Sequence, residues 1–216
     1  MADRAGFLQI DGNVLDGVSA TTLWTLHSRG TEAKRSDGVI RDPWAVTLLD
    51  AYDYCRFGKP NQWHALRAVA FDAATPRYLT AHPKAAVVVL AEGRQTSFWR
   101  LDRAGIANEL TWYPVDLPPV MAWRERLLPK DDRIVALAQS ALDRSWMDRV
   151  DPTNGVFIAA EGLLMDLRPD DVLNLFRDCA ARFGGGHFEV NTWPPLDRIG
   201  LFRRIRTSLT LLEFAR

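Results

Sequence analysis

The sequence predicts an α/β fold in which helices cover both faces of a mostly parallel sheet. Three short apolar runs support this prediction, because each is typical of a strand buried on both faces and each ends in glycine or an acid. They are Val87–Leu90 before Ala91-Glu92-Gly93, Thr111–Val115 before Asp116, and Val156–Ala160 before Glu161-Gly162. Since an open α/β sheet binds its ligand at the carboxyl ends of its strands, these polar ends predict one nucleotide-type pocket.

Strand and helix patterns alternate from residue 87 onward. Further strands are predicted at Ile134–Ala138 and His187–Thr192, and Ser208–Phe214 is expected to form at most one more. Helices are predicted to begin at Pro118 and Pro169, since proline is favoured in the first helical turn. Their apolar faces comprise Val120, Trp123 and Leu127 in the first helix, and Val172, Leu173, Phe176, Ala180 and Phe183 in the second. This alternation predicts a mostly parallel sheet with right-handed crossovers.

The chain is predicted to form one domain, with a helical cap at residues 1–85 that is contiguous with a ligand-binding core at residues 86–216. Within the cap, Trp63, Leu66 and Ala70 recur at helical spacing and predict the apolar face of a helix. Pro76 is expected to bend or end this helix, because proline has no N–H to donate to the preceding turn.

Composition argues against several classes of protein. The 27 basic and 27 acidic residues give a formal net charge of zero, so the sequence lacks the excess of positive charge that is typical of a general nucleic-acid binder. Its two cysteines and four scattered histidines have no metal-site spacing, and the cysteines fit a reducing, cytoplasmic setting. The sequence shows no signal peptide, and no apolar stretch approaches the roughly 20 residues of a membrane span.

Four residues are the main candidates for binding a ligand. Gly93 has no Cβ and allows close approach to the backbone, whereas Asp116 can accept both hydroxyls of a ribose or, alternatively, cap the following helix. Glu161 can hold an ammonium group or act as a base, and Arg67 can clamp a carboxylate. The alternatives for these two are a surface acid and a surface ion pair.

An ordered series of motifs resembles the leucine carboxyl methyltransferase / tetracenomycin-type O-methyltransferase family, which depends on S-adenosylmethionine (SAM). The motifs are Thr21–Trp24, Arg29, Glu32, Arg35, Asp42–Ala45, Arg67, Leu90–Gly93, Thr96–Arg100, Val115–Pro118, Arg126–Pro129, Ser140–Asp143 with Trp146, and Glu161–Met165. They cover about residues 18 to 195. The resemblance implies a Rossmann-like methyltransferase fold whose N-terminal helices cap the cofactor and the methyl acceptor.

The resemblance also implies a role for each pocket residue. Arg67 would bind the methionyl carboxylate of SAM, Gly93 would lie against the methionyl part, and Glu161 would lie near its amino group. Asp116 would bind the ribose. The adenine would be bordered by Ala141 and Leu142, with Asp143 beside them.

Several positions depart from the resembled pattern. The family motif Leu-Gly-x-Gly-x-Asp-Thr-Arg has Ala91, Gln95 and Ser97 here in place of Gly, Asp and Arg. Family members usually continue past this point and add strands that finish the sheet, so the C-terminal strands are expected to be shortened or missing. An unfinished sheet edge exposes unpaired backbone groups, and pairing with a second copy in a homodimer is one way to cover it.

The sequence therefore predicts a SAM-dependent methyltransferase that methylates a carboxylate or hydroxyl oxygen of a small molecule and releases S-adenosylhomocysteine (SAH). No catalytic residue is assigned, because a carboxylate acceptor needs no general base, and His187 and Glu161 are only weak candidates for a phenol. The alternative is a truncated or vestigial member that binds SAM without turnover. An NAD-dependent oxidoreductase is disfavoured, since Ala91 and Thr96 replace the glycines of GxGxxG.

Overall fold

The computed structural model describes residues 18–50, 59–191 and 209–213. The helices are α1 (Val18–Lys34), α2 (Pro43–Leu49), α3 (Trp63–Leu79), α4 (Ser97–Arg103), α5 (Pro118–Leu127) and α6 (Pro169–Arg182). The strands are β1 (Ala86–Leu90), β2 (Thr111–Asp116), β3 (Leu137–Ala138), β4 (Val156–Ala160), β5 (His187–Asn191) and β6 (Leu209–Glu213). The predicted α/β class is confirmed, while the division into a cap and a core at residue 85 stays a prediction.

The described strands form one sheet in the order β3-β2-β1-β4-β5-β6. The first five are parallel, and β6 is antiparallel to β5. Strand β1 lies between β2 and β4, so the strand order reverses between β1 and β4. Leu90 is in register with Val115 of β2 and with Ala160 of β4, which brings the residues after all three strands to one edge. This reversal is the position where open α/β sheets bind ligands.

Helices cover both faces of the sheet. Every residue of β1 and β4 is buried, as the continuous apolar runs predict. One face packs against α6, with Val88 and Ile158 in a core that includes Leu175. The other face packs against α3 and α4, with Val87 and Phe157 in its core.

The prediction for the interior of α3 was wrong in two respects. The helix does not end at Pro76 but continues to Leu79, and the carbonyl of Pro76 still accepts the N–H of Thr80 at 2.9 Å. The predicted apolar face is also misplaced, since Trp63 is 39% exposed. The buried stripe instead runs through small residues such as Ala65 and Ala68, which let the helix approach its neighbours closely.

The strand predicted at Ile134–Ala138 pairs with β2 only at its end, over Leu137–Ala138. Trp112 accepts the N–H of Val135 and donates to the carbonyl of Arg133, which makes one isolated bridge earlier in the segment. The next residue of β2 that faces this side is Pro114. Because proline has no N–H, the ladder is interrupted there and the strand is shortened.

Candidate functional site

A cavity of about 410 Å³ lies at the carboxyl ends of β1, β2 and β4. Residues of α1 and α3 and the segments after these strands line it. The lining includes six of the seven residues that the sequence predicts for the cofactor: Arg67, Gly93, Asp116, Ala141, Leu142 and Glu161. The sheet therefore brings together residues that are up to 94 positions apart in the chain.

The turn after β1 has a backbone conformation that favours glycine. Gly93 has a φ of +58°, and Ala91 has a φ of +53° although it has a Cβ. A Cβ on Gly93 would lie 3.0 Å from the side chain of Thr22 on α1. Gly93 is thus required both by its conformation and by the close contact with the cap helix.

Asp116 is held in a fixed orientation by two backbone donors. Its Oδ2 accepts the N–H of Gly93 at 2.6 Å, and its Oδ1 accepts the N–H of Leu117 at 2.7 Å. Leu117 is the N-cap residue of α5, so the alternative role of Asp116 as helix cap is not observed. Burial raises the pKa of Asp116, although both N–H groups oppose this change. Each carboxylate oxygen retains a lone pair for a further donor.

Arg67 and Glu161 form a pair in the cavity wall. Arg67 Nε donates to Glu161 Oε1 at 2.6 Å, and the two side chains are only 10% and 6% exposed. Gln95 Nε2 donates to both oxygens of Glu161, at 2.7 and 2.8 Å. A Cβ on Gly162 would lie 3.3 Å from Arg67 Nη1, so a glycine keeps space beside the guanidinium. The alternatives of a surface acid and a surface ion pair are therefore excluded.

Arg124, which was not predicted from the sequence, supports the turn after β1 without being among the residues that line the cavity. Its Nη1 donates to the carbonyls of Gly93 and Gln95 at 2.8 and 2.9 Å, and its Nη2 lies 3.0 Å from Glu92 Oε1. Burial raises the pKa of Glu92, while Arg124 opposes the rise. One signal was available, because Arg124 follows the buried Val120 by four residues and so shares the inner face of α5.

The charged motif residues of the cap form a buried network rather than a ligand site. Asp42 Oδ2 accepts hydrogen bonds from Arg29 Nε at 3.0 Å, Thr96 Oγ1 at 2.6 Å and Arg100 Nη1 at 2.7 Å. Arg100 also pairs with Asp72, with Nε 2.5 Å from Oδ2. Burial alone would raise the pKa of Asp42, but Arg100 and Arg29 hold it below its usual value. The network joins α1, α2, α3 and α4.

The segment predicted to border the adenine lies partly in the cavity wall. Ala141 and Leu142 line it, whereas Asp143 is not among the lining residues. The carboxylate of Asp143 instead accepts the N–H of Ser145 at 3.1 Å and caps the 3₁₀ helix Arg144–Arg149. The Asp143 side chain thus has a local structural role.

The two weak candidates for a general base, His187 and Glu161, lie in different parts of the structure. His187 begins β5, at the end of the sheet opposite the cavity, where its ring packs 4.5 Å from that of Tyr78. The suggestion of His187 as a base is therefore wrong, whereas Glu161 lies in the cavity. The sequence also suggests Trp193 for the wall of the acceptor pocket, and that residue lies outside the described residues.

The strand order, the cavity at its reversal and the acid at the end of β2 are those of the Rossmann-like class of α/β proteins. A family model described as leucine carboxyl methyltransferase matches residues 22–180, which is more than half of the chain. The chain belongs to this family. The resemblance seen in the motifs is therefore confirmed.

Two curated relatives are methyltransferases by name. The tetracenomycin polyketide synthesis O-methyltransferase TcmP of Streptomyces glaucescens is 32% identical, over 76% of this chain and 61% of that protein. A candidate S-adenosyl-L-methionine-dependent methyltransferase of Mycobacteroides abscessus is 30% identical, over 83% of this chain and 67% of that protein. The chain thus spans about three-fifths to two-thirds of these relatives.

Among solved structures, a candidate methyltransferase from Thermobifida fusca superposes with a TM-score of 0.52. It is 18% identical, and the match covers 90% of this chain and 75% of that one. At this identity the likeness concerns the fold alone, which agrees with the predicted Rossmann-like architecture.

Two further findings concern the described part of the chain. None of its helices combines the length and the apolar character needed to cross a membrane. Within the same residues, no group of three or more His, Cys, Asp or Glu side chains is placed to hold a metal ion.

Proposed function

We propose that the chain binds SAM in the cavity at the carboxyl edge and transfers its methyl group to an oxygen of a small-molecule acceptor. The observation that supports this best is the pairing of two polar centres in one cavity. Asp116, at the end of β2, offers carboxylate oxygens to a ribose, and the Arg67–Glu161 pair offers both charges to an amino acid group. A methionyl nucleoside needs both kinds of contact.

The residues present fit this cofactor. Arg67 uses Nε for Glu161, which leaves its two terminal nitrogens available to a carboxylate. Gln95 Oε1 is buried and has no hydrogen-bond partner within the described ranges, so it can accept a hydrogen bond from an ammonium group beside Glu161. Ala141 and Leu142 supply an apolar wall for a base.

The protein contributes position rather than reactive groups. SAM supplies a methyl group activated by a positive sulfur, and a single displacement moves it to the acceptor. Holding donor and acceptor in line contributes on the order of several kcal/mol to the lowering of the barrier. Thr21, Thr22 and Thr25 of α1 line the cavity, which limits the access of water.

Transfer of the methyl group to an oxygen atom is the more specific part of the proposal. It is supported by the printed name of the Streptomyces relative, an O-methyltransferase. The alternative of a vestigial protein would be expected to have an open sheet edge and an exposed or collapsed pocket. The cavity of about 410 Å³ and the cap residues along it favour a working site over that alternative.

Calorimetric titration of the purified chain with SAM and with SAH tests the proposal. We expect micromolar dissociation constants for both, since binding does not require turnover. A matched pair of variants, Arg67→Ala in the cavity and Arg133→Ala outside it, should lose and keep this affinity respectively. Absence of binding by a folded, monodisperse sample would contradict the proposed function and favour the vestigial alternative.

A further inference from the structure

Two buried arginines from different helices hold the carbonyls of the turn after β1. Arg124 of α5 binds the carbonyls of Gly93 and Gln95, at 2.8 and 2.9 Å. The carbonyl between them, that of Arg94, accepts Nη2 of Arg29 on α1 at 2.6 Å. Three consecutive carbonyls are therefore bound to guanidinium groups. Because hydrogen bonds from a charged donor are roughly twice as strong as neutral ones, the conformation of the turn depends on both arginines.

Arg29 also binds the start of α2. Its Nε donates to Oδ2 of Asp42 at 3.0 Å, and Oδ1 of the same carboxylate caps α2 by accepting the N–H of Ala45. A guanidinium is planar and its donors have a fixed spacing, so one rigid group joins Asp42 to the Arg94 carbonyl. Helices α1 and α2 are in close contact, since a Cβ on Gly30 would lie 2.8 Å from the carbonyl oxygen of Ala45. A displacement of either helix would therefore reach the turn.

A second contact joins the same turn to α1. Thr22 lines the cavity, and its Oγ1 accepts Nη1 of Arg94. The turn is thus held to α1 at Thr22 and at Arg29, which are about two helical turns apart. Arg29 is fully buried and is not among the residues that line the cavity. Any effect of Arg29 on a ligand must therefore pass through the turn or through α1.

We propose that Arg29 is a positioning residue that couples helices α1 and α2 to cofactor binding. This inference rests on the proposed binding of SAM in the cavity. When both helices are in place, Arg29 holds the Arg94 carbonyl. The turn then keeps the conformation in which Gly93 contacts both Asp116 and the cofactor. Coupling between two sites is reciprocal, so the bound cofactor in turn holds α1 and α2 in place.

The first test compares two substitutions at the same carboxylate. Arg29→Lys keeps a positive charge beside Asp42 but has one nitrogen in place of the fork that reaches both partners. We expect the Kd of SAH to rise at least about fivefold, the low end of typical couplings between two sites. Circular dichroism establishes that the variant is folded.

Arg100→Lys is the matched control. Nη1 of Arg100 donates to the same Oδ2 of Asp42, at 2.7 Å, and among the described residues Arg100 reaches no carbonyl of the turn. This variant disturbs the buried network without releasing the turn. Its Kd for SAH should stay within twofold of the wild-type value.

The second test uses the wild-type protein and is independent of how the variants fold. Hydrogen exchange of the backbone is measured with and without saturating SAH. No residue of α2, which the structure describes completely, lines the cavity, so slower exchange there reports coupling rather than contact. Helix α6 is the comparison, because it packs on the other face of the sheet and its residues do not line the cavity either. We expect SAH to slow exchange in α2 at least about fivefold more than in α6.

Two results would overturn the inference. One is a Kd for Arg29→Lys that changes no more than that for Arg100→Lys, because the loss would then come from the shared network. The other is a wild-type protein in which SAH slows exchange in α2 no more than in α6. Either result with a wild-type protein that binds SAH contradicts the coupling alone. Absence of SAH binding by the wild-type protein contradicts the proposed function, and the coupling with it.

Discussion

The backbone N–H of Gly93 donates a 2.6 Å hydrogen bond to Oδ2 of Asp116, which joins the turn after β1 to the end of β2. Arg124 holds the same turn from α5 through the carbonyl of Gly93. The glycine turn and the carboxylate are thus fixed relative to each other before a ligand arrives. Such preorganisation reduces the free energy lost to ordering on binding.

Replacing Asp116 by alanine should weaken SAM binding at least tenfold. The variant removes the acceptors proposed for the ribose and also releases the N–H of Gly93. A tenfold change corresponds to about 1.4 kcal/mol, within the range for hydrogen bonds to a charged group. Calorimetric titration measures the change in Kd.

Asp143→Ala is the control for this prediction, because its carboxylate caps a 3₁₀ helix outside the cavity lining. Its Kd for SAM should stay within twofold of the wild-type value. Equal Kd values for the two variants would remove Asp116 from the cofactor site.

Replacing Ala91 by glycine should stabilise the protein. Ala91 has a φ of +53°, in the left-handed region where a Cβ costs roughly 1–2 kcal/mol. Part of this gain is lost to the greater freedom of glycine in the unfolded chain, so a net increase of about 1 kcal/mol in the free energy of unfolding is expected. Urea denaturation measures it, together with a melting temperature about 2–4 °C higher.

Ala104→Gly is the matched control, since Ala104 has a φ of −80° at the end of α4. Glycine there should destabilise by about 0.5–1 kcal/mol. If both variants lose stability, the turn at Ala91 is not strained.

Replacing Asp42 by asparagine should be strongly destabilising. The variant keeps the size of the side chain but leaves the buried cations Arg29 and Arg100 without their shared carboxylate. Breaking a buried ion pair at one partner costs about 3–5 kcal/mol. The exposed pair of Asp37 and Arg35 gives the comparison, because Asp37→Asn should change the free energy of unfolding by less than about 1 kcal/mol. A small effect of Asp42→Asn would mean that the network does not hold the cap.

The sequence predicted the sheet well because its central strands are buried on both faces. An apolar run as short as Val87–Leu90 is typical of a strand buried on both faces. The register of the parallel strands then brings the polar residues at their carboxyl ends to one edge of the sheet. The strand at Ile134–Ala138 was overestimated because its partner, Pro114, interrupts the ladder from another part of the chain. A pattern within one segment does not contain that information.

The site was predicted in part for a similar reason. Asp116 ends a strand, and Gly93 and Glu161 follow strands, so topology places them. Arg124 lies on the inner face of a helix, where periodicity predicts burial but does not identify the turn that the guanidinium holds. The face of α3 was misjudged because hydrophobicity favours Trp63 over Ala65. Close helix packing selects the smaller side chain, and that choice depends on the neighbouring helices.

Glu189 gives a prediction about the pH dependence of stability. It lies in β5, is fully buried, and neither carboxylate oxygen has a hydrogen-bond partner among the described residues. Burial, with Glu161 and Asp72 nearby, raises the pKa of Glu189 to about 8 against an opposing effect of Arg77.

Because the folded state binds this proton more tightly than the unfolded chain, the stabilisation is fully present below pH 4.5 and is lost as the pH rises through about 8. Glu189→Gln cannot ionise, so it should come within about 1 kcal/mol of the wild-type protein at pH 5 and exceed it by roughly 4–5 kcal/mol at pH 9. Urea denaturation at pH 5, 7 and 9 measures this difference. Glu109→Gln, at an exposed pair with Lys84, should show no such divergence. Parallel stability curves for wild type and Glu189→Gln would mean that Glu189 is ionised in the folded protein and has a partner there.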